Sequence, residues 1–308
     1  MLNARVSTII PTFNSAATLP AAIDSALAQE IEGHEIIVVN DGSTDDTAAI
    51  LARYGDRVRT IEQANRGFNQ ARNVAIERAT GQFIALLDAD DIWLPGRLAK
   101  TVAALDRNPS ATLAFSDYMR IDLKGNVVQC PAMPPSLAHA PSMDELLAHW
   151  WPIVPTTVTL PRSTWHRCGG FNTEAPAFDL YLFILARECG EFEYIAEPLA
   201  KYRLSNDHLG PDKWSPDIFI QLIKDRYGAR ARGLIAEVHN GYAGAFASKA
   251  LRAMEEGNRS EAVRCWRKVF RYEPMYAFKL AHVARIFRGR NLRRVAQVLR
   301  PKRPLETE

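Results

Sequence analysis

Ala85-Leu86-Leu87-Asp88-Ala89-Asp90-Asp91 runs an apolar strand straight into three acids with no basic neighbour. Carboxylates gathered at a strand end repel one another unless a cation is held among them. Upstream, residues 6–11 (Val-Ser-Thr-Ile-Ile-Pro) and 35–40 (Glu-Ile-Ile-Val-Val-Asn) are short β-branched runs, stopped by Pro11 and by Asp41-Gly42. Between them Leu19, Ile23, Ala26 and Leu27 fall on one helical face, and residues 43–46 open a second helix that runs through Ile50 and Leu51. Strand and helix alternate again through residues 58–61, 72–78 and 82–87. The pattern predicts an α/β fold on a parallel sheet, and ligands of open α/β sheets bind beyond the carboxyl ends of the strands. Residues 11–14, Asp41 and 88–91 all sit at such ends and converge on one crevice.

Composition bounds what the crevice can serve. A chain of 308 residues can bury a sizeable core and suggests about two domains at ~150 residues each. With 47% apolar and 24% charged residues it is ordinary for a globular protein, and a net charge of +3 gives no ground for a nucleic-acid partner. Cys130, Cys168, Cys189 and Cys265 show neither paired nor metal-ligand spacing, so reduced thiols and a cytoplasmic location are expected. The chain enters its first strand at Val6, so no signal peptide is expected, and no apolar run approaches the ~20 residues that span a bilayer.

Five motifs occur in order. Thr8-Ile9-Ile10-Pro11-Thr12-Phe13-Asn14 is followed by Ile37-Val38-Val39-Asn40-Asp41-Gly42-Ser43-Thr44-Asp45. Then come Asn65-Arg66-Gly67, Ala71-Arg72-Asn73, and Leu87-Asp88-Ala89-Asp90-Asp91 with Trp93-Leu94-Pro95. Together they resemble the family 2 glycosyltransferases of the GT-A fold, over roughly the first two thirds of the chain. The resemblance implies a Rossmann-like, mixed but mostly parallel sheet flanked by helices in residues 1–211, and a helical C-terminal region in 212–308. It implies an inverting, metal-dependent transferase that moves a sugar from a nucleotide-sugar, with UDP expected, to a saccharide or lipid-linked saccharide. Surface polysaccharide or glycolipid synthesis would be its setting.

On that resemblance Pro11, Thr12 and Asn14 line the base, and Asp41, an acceptor-only carboxylate, takes the base N–H. Asn65, Gly67 and Arg72 border the base and phosphates, Asp88 and Ala89 the ribose. Asp90 and Asp91 would bind Mg²⁺ or Mn²⁺, hard cations that prefer oxygen and bridge to phosphates. Arg203, in Glu197-Pro198-Leu199-Ala200-Lys201-Tyr202-Arg203, and His208 after it would reach the diphosphate or the metal. Plainer readings stand beside these. Asp41-Gly42 also suits a tight turn, Arg72 a solvated helix charge, His208 an exposed loop, and Asp90 and Asp91 the cap of a helix over residues 92–105.

The acceptor side departs from the family pattern. Gly169-Gly170-Phe171-Asn172 and Asp179-Leu180-Tyr181-Leu182 resemble the family's Gly-Gly-Phe loop and base-bearing helix, yet Pro176 and Ala177 occupy the places of its acidic pair. Asp179 is the first choice for the base and Glu174 the second, with a purely structural Asp179 an open reading. A non-catalytic nucleotide-sugar binder is therefore the alternative function. Trp150, Trp151 and Trp165 suit sugar rings or plain core packing. A dinucleotide oxidoreductase is disfavoured because the first turn reads Pro-Thr-Phe-Asn rather than glycine-rich, and a nucleotidyltransferase because no glycine-rich turn with Arg and Lys appears.

Beyond residue 212, residues 245–270 carry helical periodicity around Gly257-Asn258 and faintly resemble one tetratricopeptide unit at Ala250, Gly257, Ala262 and Pro274. Leu280, Val283, Ala284 and Phe287, then Leu292, Val295, Ala296 and Leu299, mark two further amphipathic helices. Their polar faces hold Lys279, Arg285, Arg288, Arg290, Arg293, Arg294 and Arg300, with Lys302 and Arg303 following. Such helices over 279–303 either meet an anionic membrane at the periphery or pack with their arginines in water; both readings stay open.

Overall fold

The computed structural model describes residues 4–148, 153–174, 179–204 and 216–274. The first half alternates strand and helix: β1 (Val6–Thr12), α1 (Leu19–Leu27), β2 (His34–Asp41), α2 (Thr47–Ala52), β3 (Arg59–Gln63), α3 (Phe68–Glu77) and β4 (Phe83–Leu86). β1 and β4 are buried along their whole length; β4 is accordingly a continuous apolar run, while in β1 the buried Ser7 and Thr8 are satisfied by Glu35 and His34 on β2. After β4 come β5 (Ile92–Trp93), α4 (Arg97–Arg107), β6 (Ala111–Ile121), β7 (Val127–Gln129), α5 (Met143–Ala148), β8 (Thr159–Pro161), α6 (Arg162–Cys168), α7 (Asp179–Cys189) and β9 (Glu191–Arg203). Three helices follow: α8 (Pro216–Tyr227), α9 (Arg232–Glu255) and α10 (Arg259–Tyr272).

All strands join one mixed sheet in the order β3-β2-β1-β4-β8-β6-β9-β5, with β7 added to β6. β3, β2, β1 and β4 are mutually parallel, so their carboxyl ends share one edge. β8 pairs antiparallel with β4 and β6, whereas β6 and β9 run parallel. The chain winds outward from β1 to β2 and β3, then crosses back to place β4 on the other side of β1. Two neighbouring strand ends whose connections leave in opposite directions open a crevice between them, here between β1 and β4.

One sequence expectation is corrected at this level. Residues 92–105 are not one helix: Ile92 and Trp93 pair with β9, and α4 starts only at Arg97 behind Gly96, a left-handed residue with φ +76°. Ile92 and Trp93 are held in the sheet, and the Arg97 N–H closes a turn through Pro95 and Gly96 onto the Leu94 carbonyl at 3.3 Å, so Asp90 and Asp91 cap no helix. Arg97 is fully buried instead, donating to Thr159 Oγ1 at 2.7 Å and to the Val158 carbonyl at 2.7 Å while lying over the Trp93 ring.

Described residues 4–204 and 217–234 cluster as one compact unit and 235–274 as a second. The boundary expected after 211 therefore shifts, because α8 belongs with the first unit: Phe219 stacks edge-on against Tyr181, and Arg226 pairs with Glu188. In the second unit α9 and α10 enclose Phe246, Ala250, Cys265, Trp266 and Val269. Asn258 starts α10 by accepting from the Glu261 N–H at 3.2 Å. The periodicity around Gly257-Asn258 is thus a helical hairpin. The helices expected over 279–303 lie outside the described residues, as do Trp150, Trp151, Pro176, Ala177 and His208. Among the described residues no helix is long and apolar enough to cross a membrane.

The four cysteines are free thiols. Sequence spacing hid one neighbourhood: burial and the adjacent Cys189 push the Cys168 thiol up to about 12.

Candidate active site

β1 ends in Thr12, buried, with an Oγ1 that meets no partner among the described residues. The ladder from β1 to β4 stops where the Leu87 N–H reaches the Ile9 carbonyl, so Pro11 and Thr12 continue past it along the crevice. Asn14 adopts φ +49° and locks two loops together. Its Oδ1 accepts from the Thr44 N–H at 2.8 Å, and its own N–H donates to Ser43 Oγ at 2.9 Å. The loop after β1 and the loop after β2 therefore move as one piece.

Asp41 is buried at the end of β2 and accepts from Gln63 Nε2 at 2.6 Å, the Arg66 N–H at 2.9 Å and the Gly67 N–H at 2.8 Å. A carboxylate offers roughly four acceptor positions, so one is left for a base N–H. The tight-turn reading holds at the same time: Gly42 has φ +74°, and a Cβ there would stand 2.8 Å from the Asn65 nitrogen. Asn65 and Arg66 are exposed on the loop that Asp41 secures, and Gly67 starts α3.

The three acids differ sharply in surroundings. Asp91 is buried; its Oδ1 accepts from the Arg203 N–H at 2.8 Å, and its Oδ2 has no hydrogen-bond partner among the described residues. Burial, then the charges of Asp90 and Asp88, push its carboxyl well above the usual carboxylate range. Asp88 and Asp90 are half-buried and Ala89 between them is buried, which turns the two acids to one side of the strand end. Arg203 braces this loop from behind rather than reaching forward. Its Nε donates to the Asp90 carbonyl at 2.8 Å, and its Nη1 to the carbonyls of Asp122 and Leu123, both at 3.1 Å.

A divalent cation suits this acid set. The buried Oδ2 of Asp91 is an orphaned carboxyl oxygen among like charges, the donor type that hard cations take. Among the described residues no three His, Cys, Asp or Glu side chains are grouped as a complete protein cage. Ions such as Mg²⁺ use one or two carboxylates and take the rest of their oxygens from substrate phosphates and water.

Arg72 occupies the centre of the site. It is 2% exposed on α3, lying over the rings of Phe68 and Phe171, with Nη2 2.6 Å from Asp88 Oδ1 and Nη1 paired with Asp179 Oδ1. The reading of a solvated helix charge does not hold. Asp179 opens α7, and burial raises its carboxyl above the ordinary value, Arg72 opposing and Asp88 reinforcing that rise. Glu174 is exposed, with its N–H on Asn172 Oδ1 at 2.8 Å.

Two further residues hold the loop at Phe171 and Asn172. Asn73 Nδ2 donates to the Phe171 carbonyl at 2.8 Å, and its Oδ1 accepts from the Phe171 N–H at 2.9 Å and from Trp165 Nε1 at 3.3 Å. Asn69 Nδ2 donates to the Asn172 carbonyl at 2.9 Å. Trp165 is therefore core packing with its polar edge satisfied. Asn69 escaped the sequence reading, although an asparagine four residues before another puts both on one helix face.

Comparison with known proteins accords with this geometry. Residues 7–142 match the model of the family described as glycosyl transferase family 2. An uncharacterized glycosyltransferase of Rickettsia felis is 33% identical over 193 residues, which cover 58% of this chain and 31% of that protein. The chain thus spans under a third of that relative's length. Among solved structures, Staphylococcus aureus TarS 1-349 in complex with UDP-GlcNAc superposes with TM-score 0.57 at 16% identity, covering 89% of this chain and 92% of the other. A Pyrobaculum calidifontis mannosyltransferase in complex with GDP-Man and Mn²⁺ gives 0.54 at 18% identity, covering 89% and 87%. At such identities the likeness speaks for the fold, which is the GT-A arrangement.

Proposed function

We propose, from the match of residues 7–142 to the model of glycosyl transferase family 2, that the chain is an inverting, metal-dependent glycosyltransferase that moves a sugar from a UDP-sugar to a hydroxyl of a saccharide or lipid-linked saccharide. The observation that carries the reading is the buried, partnerless Oδ2 of Asp91 beside Asp88 and Asp90, at the strand end where the sheet opens its crevice. Buried polar atoms are nearly always satisfied, so an orphaned carboxylate oxygen at a crevice marks a place for a ligand.

Thr12 Oγ1 and the open acceptor position of Asp41 receive the base, and Asp88 faces the ribose hydroxyls. Asp90 and Asp91 would hold the cation, which when bound would supply charge neutralisation to the diphosphate leaving group. Arg203 keeps both acids in place, through its N–H on Asp91 Oδ1 and its Nε on the Asp90 carbonyl. Asp179 takes the proton of the acceptor hydroxyl as that oxygen attacks the anomeric carbon, a role worth ~100-fold to 10,000-fold. The raised affinity of its carboxylate for a proton suits this work. Asp41 presents an acceptor where uracil presents an N–H; thymine and guanine carry such an N–H too, so dTDP and GDP stand beside UDP in the test.

Calorimetric titration of UDP, dTDP and GDP, with and without Mn²⁺, tests the donor side on the native chain and on Asp90→Ala. Metal-dependent binding of UDP that disappears in the variant is expected; Arg203→Met should keep binding but weaken metal affinity by ~10–100-fold, as loss of an outer-shell brace does. Metal-independent or absent nucleotide binding overturns the reading. The rival, a non-catalytic binder, draws on Pro176 and Ala177 standing where the family carries acids. It predicts the same binding with no UDP release in the presence of a panel of saccharide acceptors.

A further inference from the structure

We propose that Arg72 is a positioning residue, not a donor ligand: one buried guanidinium fixes the ribose-side acid Asp88 and the base Asp179 in a single geometry, tying the donor half of the site to the acceptor half. The inference rests on the reading of Asp179 as base.

Four observations carry it. Arg72 is 2% exposed, so its guanidinium lies behind the acids and not in the crevice. Its two terminal nitrogens go to different carboxylates, Nη2 to Asp88 and Nη1 to Asp179, with Nη1 also 3.3 Å from Asn69 Oδ1. Its plane is held by the rings of Phe68 and Phe171, 5.1 and 5.3 Å from their centres, so rotation away from the acids would break both contacts. The neighbouring Asn69 and Asn73 hold the loop through Phe171 and Asn172, so α3 locks the acceptor loop with the same turn that carries the arginine. Two acids bridged by separate nitrogens of one rigid fork keep a fixed spacing, which a lysine ammonium cannot reproduce.

The bridge also sets the charge balance. The charged groups that act on Asp179 are Arg72 from α3 and Asp88 from the end of β4. Burial and Asp88 favour the protonated carboxyl, and Arg72 alone opposes them. Without its charge, Asp179 holds a proton at higher pH and cannot accept another. Asp179 Oδ1 faces Arg72, which leaves Oδ2 for the acceptor hydroxyl.

The test compares Arg72→Met and Arg72→Lys in the full chain. For Arg72→Met we expect kcat to fall at least 100-fold at pH 7 and the acid limb of its pH profile to rise by a pH unit or more, with the Kd for UDP and Mn²⁺ changing less than tenfold. Arg72→Lys should keep the limb in place and lose kcat less severely. A Kd weakened more than 100-fold with an unmoved limb makes Arg72 a donor ligand and overturns the inference; so does an unchanged kcat. If Arg72→Met fails to fold, Arg72→Gln carries the same comparison. Asp179→Asn, run alongside, separates the two layers: wild-type turnover there means that the assignment of the base has failed. The link is then judged by a urea double-mutant cycle of Arg72→Met with Asp179→Asn, where non-additive midpoints uphold the bridge and additive ones overturn it.

Discussion

Asp91 and His34 show how burial turns an ordinary ionisable residue into one with a job. Asp91 sits among like charges with an oxygen that no donor among the described residues reaches, which a bound proton or a bound cation relieves. His34 is placed at the opposite end of the sheet, at the start of β2, with Nε2 2.7 Å from Thr8 Oγ1, and burial lowers its pKa to about 4. The unfolded chain takes up a proton at His34 near pH 6.5, whereas the folded chain resists it until about 4. The contribution is therefore complete above pH 6.5 and is lost as pH falls from 6.5 towards 4, by at most ~3 kcal/mol at 1.36 kcal/mol per pKa unit. Urea midpoints of the native chain should drop between pH 7 and pH 5, and those of His34→Gln should drop less; parallel slopes would refute the assignment. None of this was legible from His34 as a letter, because its burial is decided by strands from elsewhere in the chain. The acids were legible, since three carboxylates after an apolar run are conspicuous whatever surrounds them. The opposed environments of Asp88 and Asp91 were not.

At the scale of the element, α3 does more than its sequence suggested. Read alone, residues 72–78 are an ordinary amphipathic turn or two; folded, Asn69, Arg72 and Asn73 place a row of polar groups on one face, directed at the loop through Phe171 and Asn172 and at the acids. Gly170 permits the close approach: it has φ +82°, and a Cβ there would stand 3.1 Å from Asn73 Oδ1. Asn73→Ala removes three hydrogen bonds to that loop and its neighbour, and a lost buried partner typically costs ~1–3 kcal/mol. Acceptor KM should rise in this variant while UDP affinity holds, as measured by steady-state kinetics and calorimetry; a selective loss of UDP binding would place α3 on the donor side alone. The element that sequence periodicity misread was 92–105. Apolar spacing at Trp93, Leu94 and Leu98 mimics a helix, but Pro95 and Gly96 divide it, and Ile92 and Trp93 are drawn into the sheet by β9, a strand about a hundred residues away.

Across the whole molecule, the first unit carries the site and the second is a helical hairpin with its own small core. Trp266, 2% exposed, fills that core and stacks on Phe270. Trp266→Ala should cost ~3–5 kcal/mol of local stability, as large aromatic deletions do. Hydrogen exchange should then quicken in peptides from 242–269, and nucleotide binding should persist; loss of binding would show that the crevice depends on the hairpin. The sequence by itself determined the alternation of strand and helix, the strand ends that build the crevice, and the resemblance to a family, because these depend on local runs of β-branched residues, glycines and acids that read the same in any context. Only the tertiary structure decided that Asp179 and Asp88 share one arginine, that Asp41 secures the 65–67 loop, that Arg203 braces the acid loop from behind, and that Cys168 lies beside Cys189. Each of these joins residues that are distant along the chain, and burial and pairing energies depend on distance in space, which no pattern of neighbours in sequence contains.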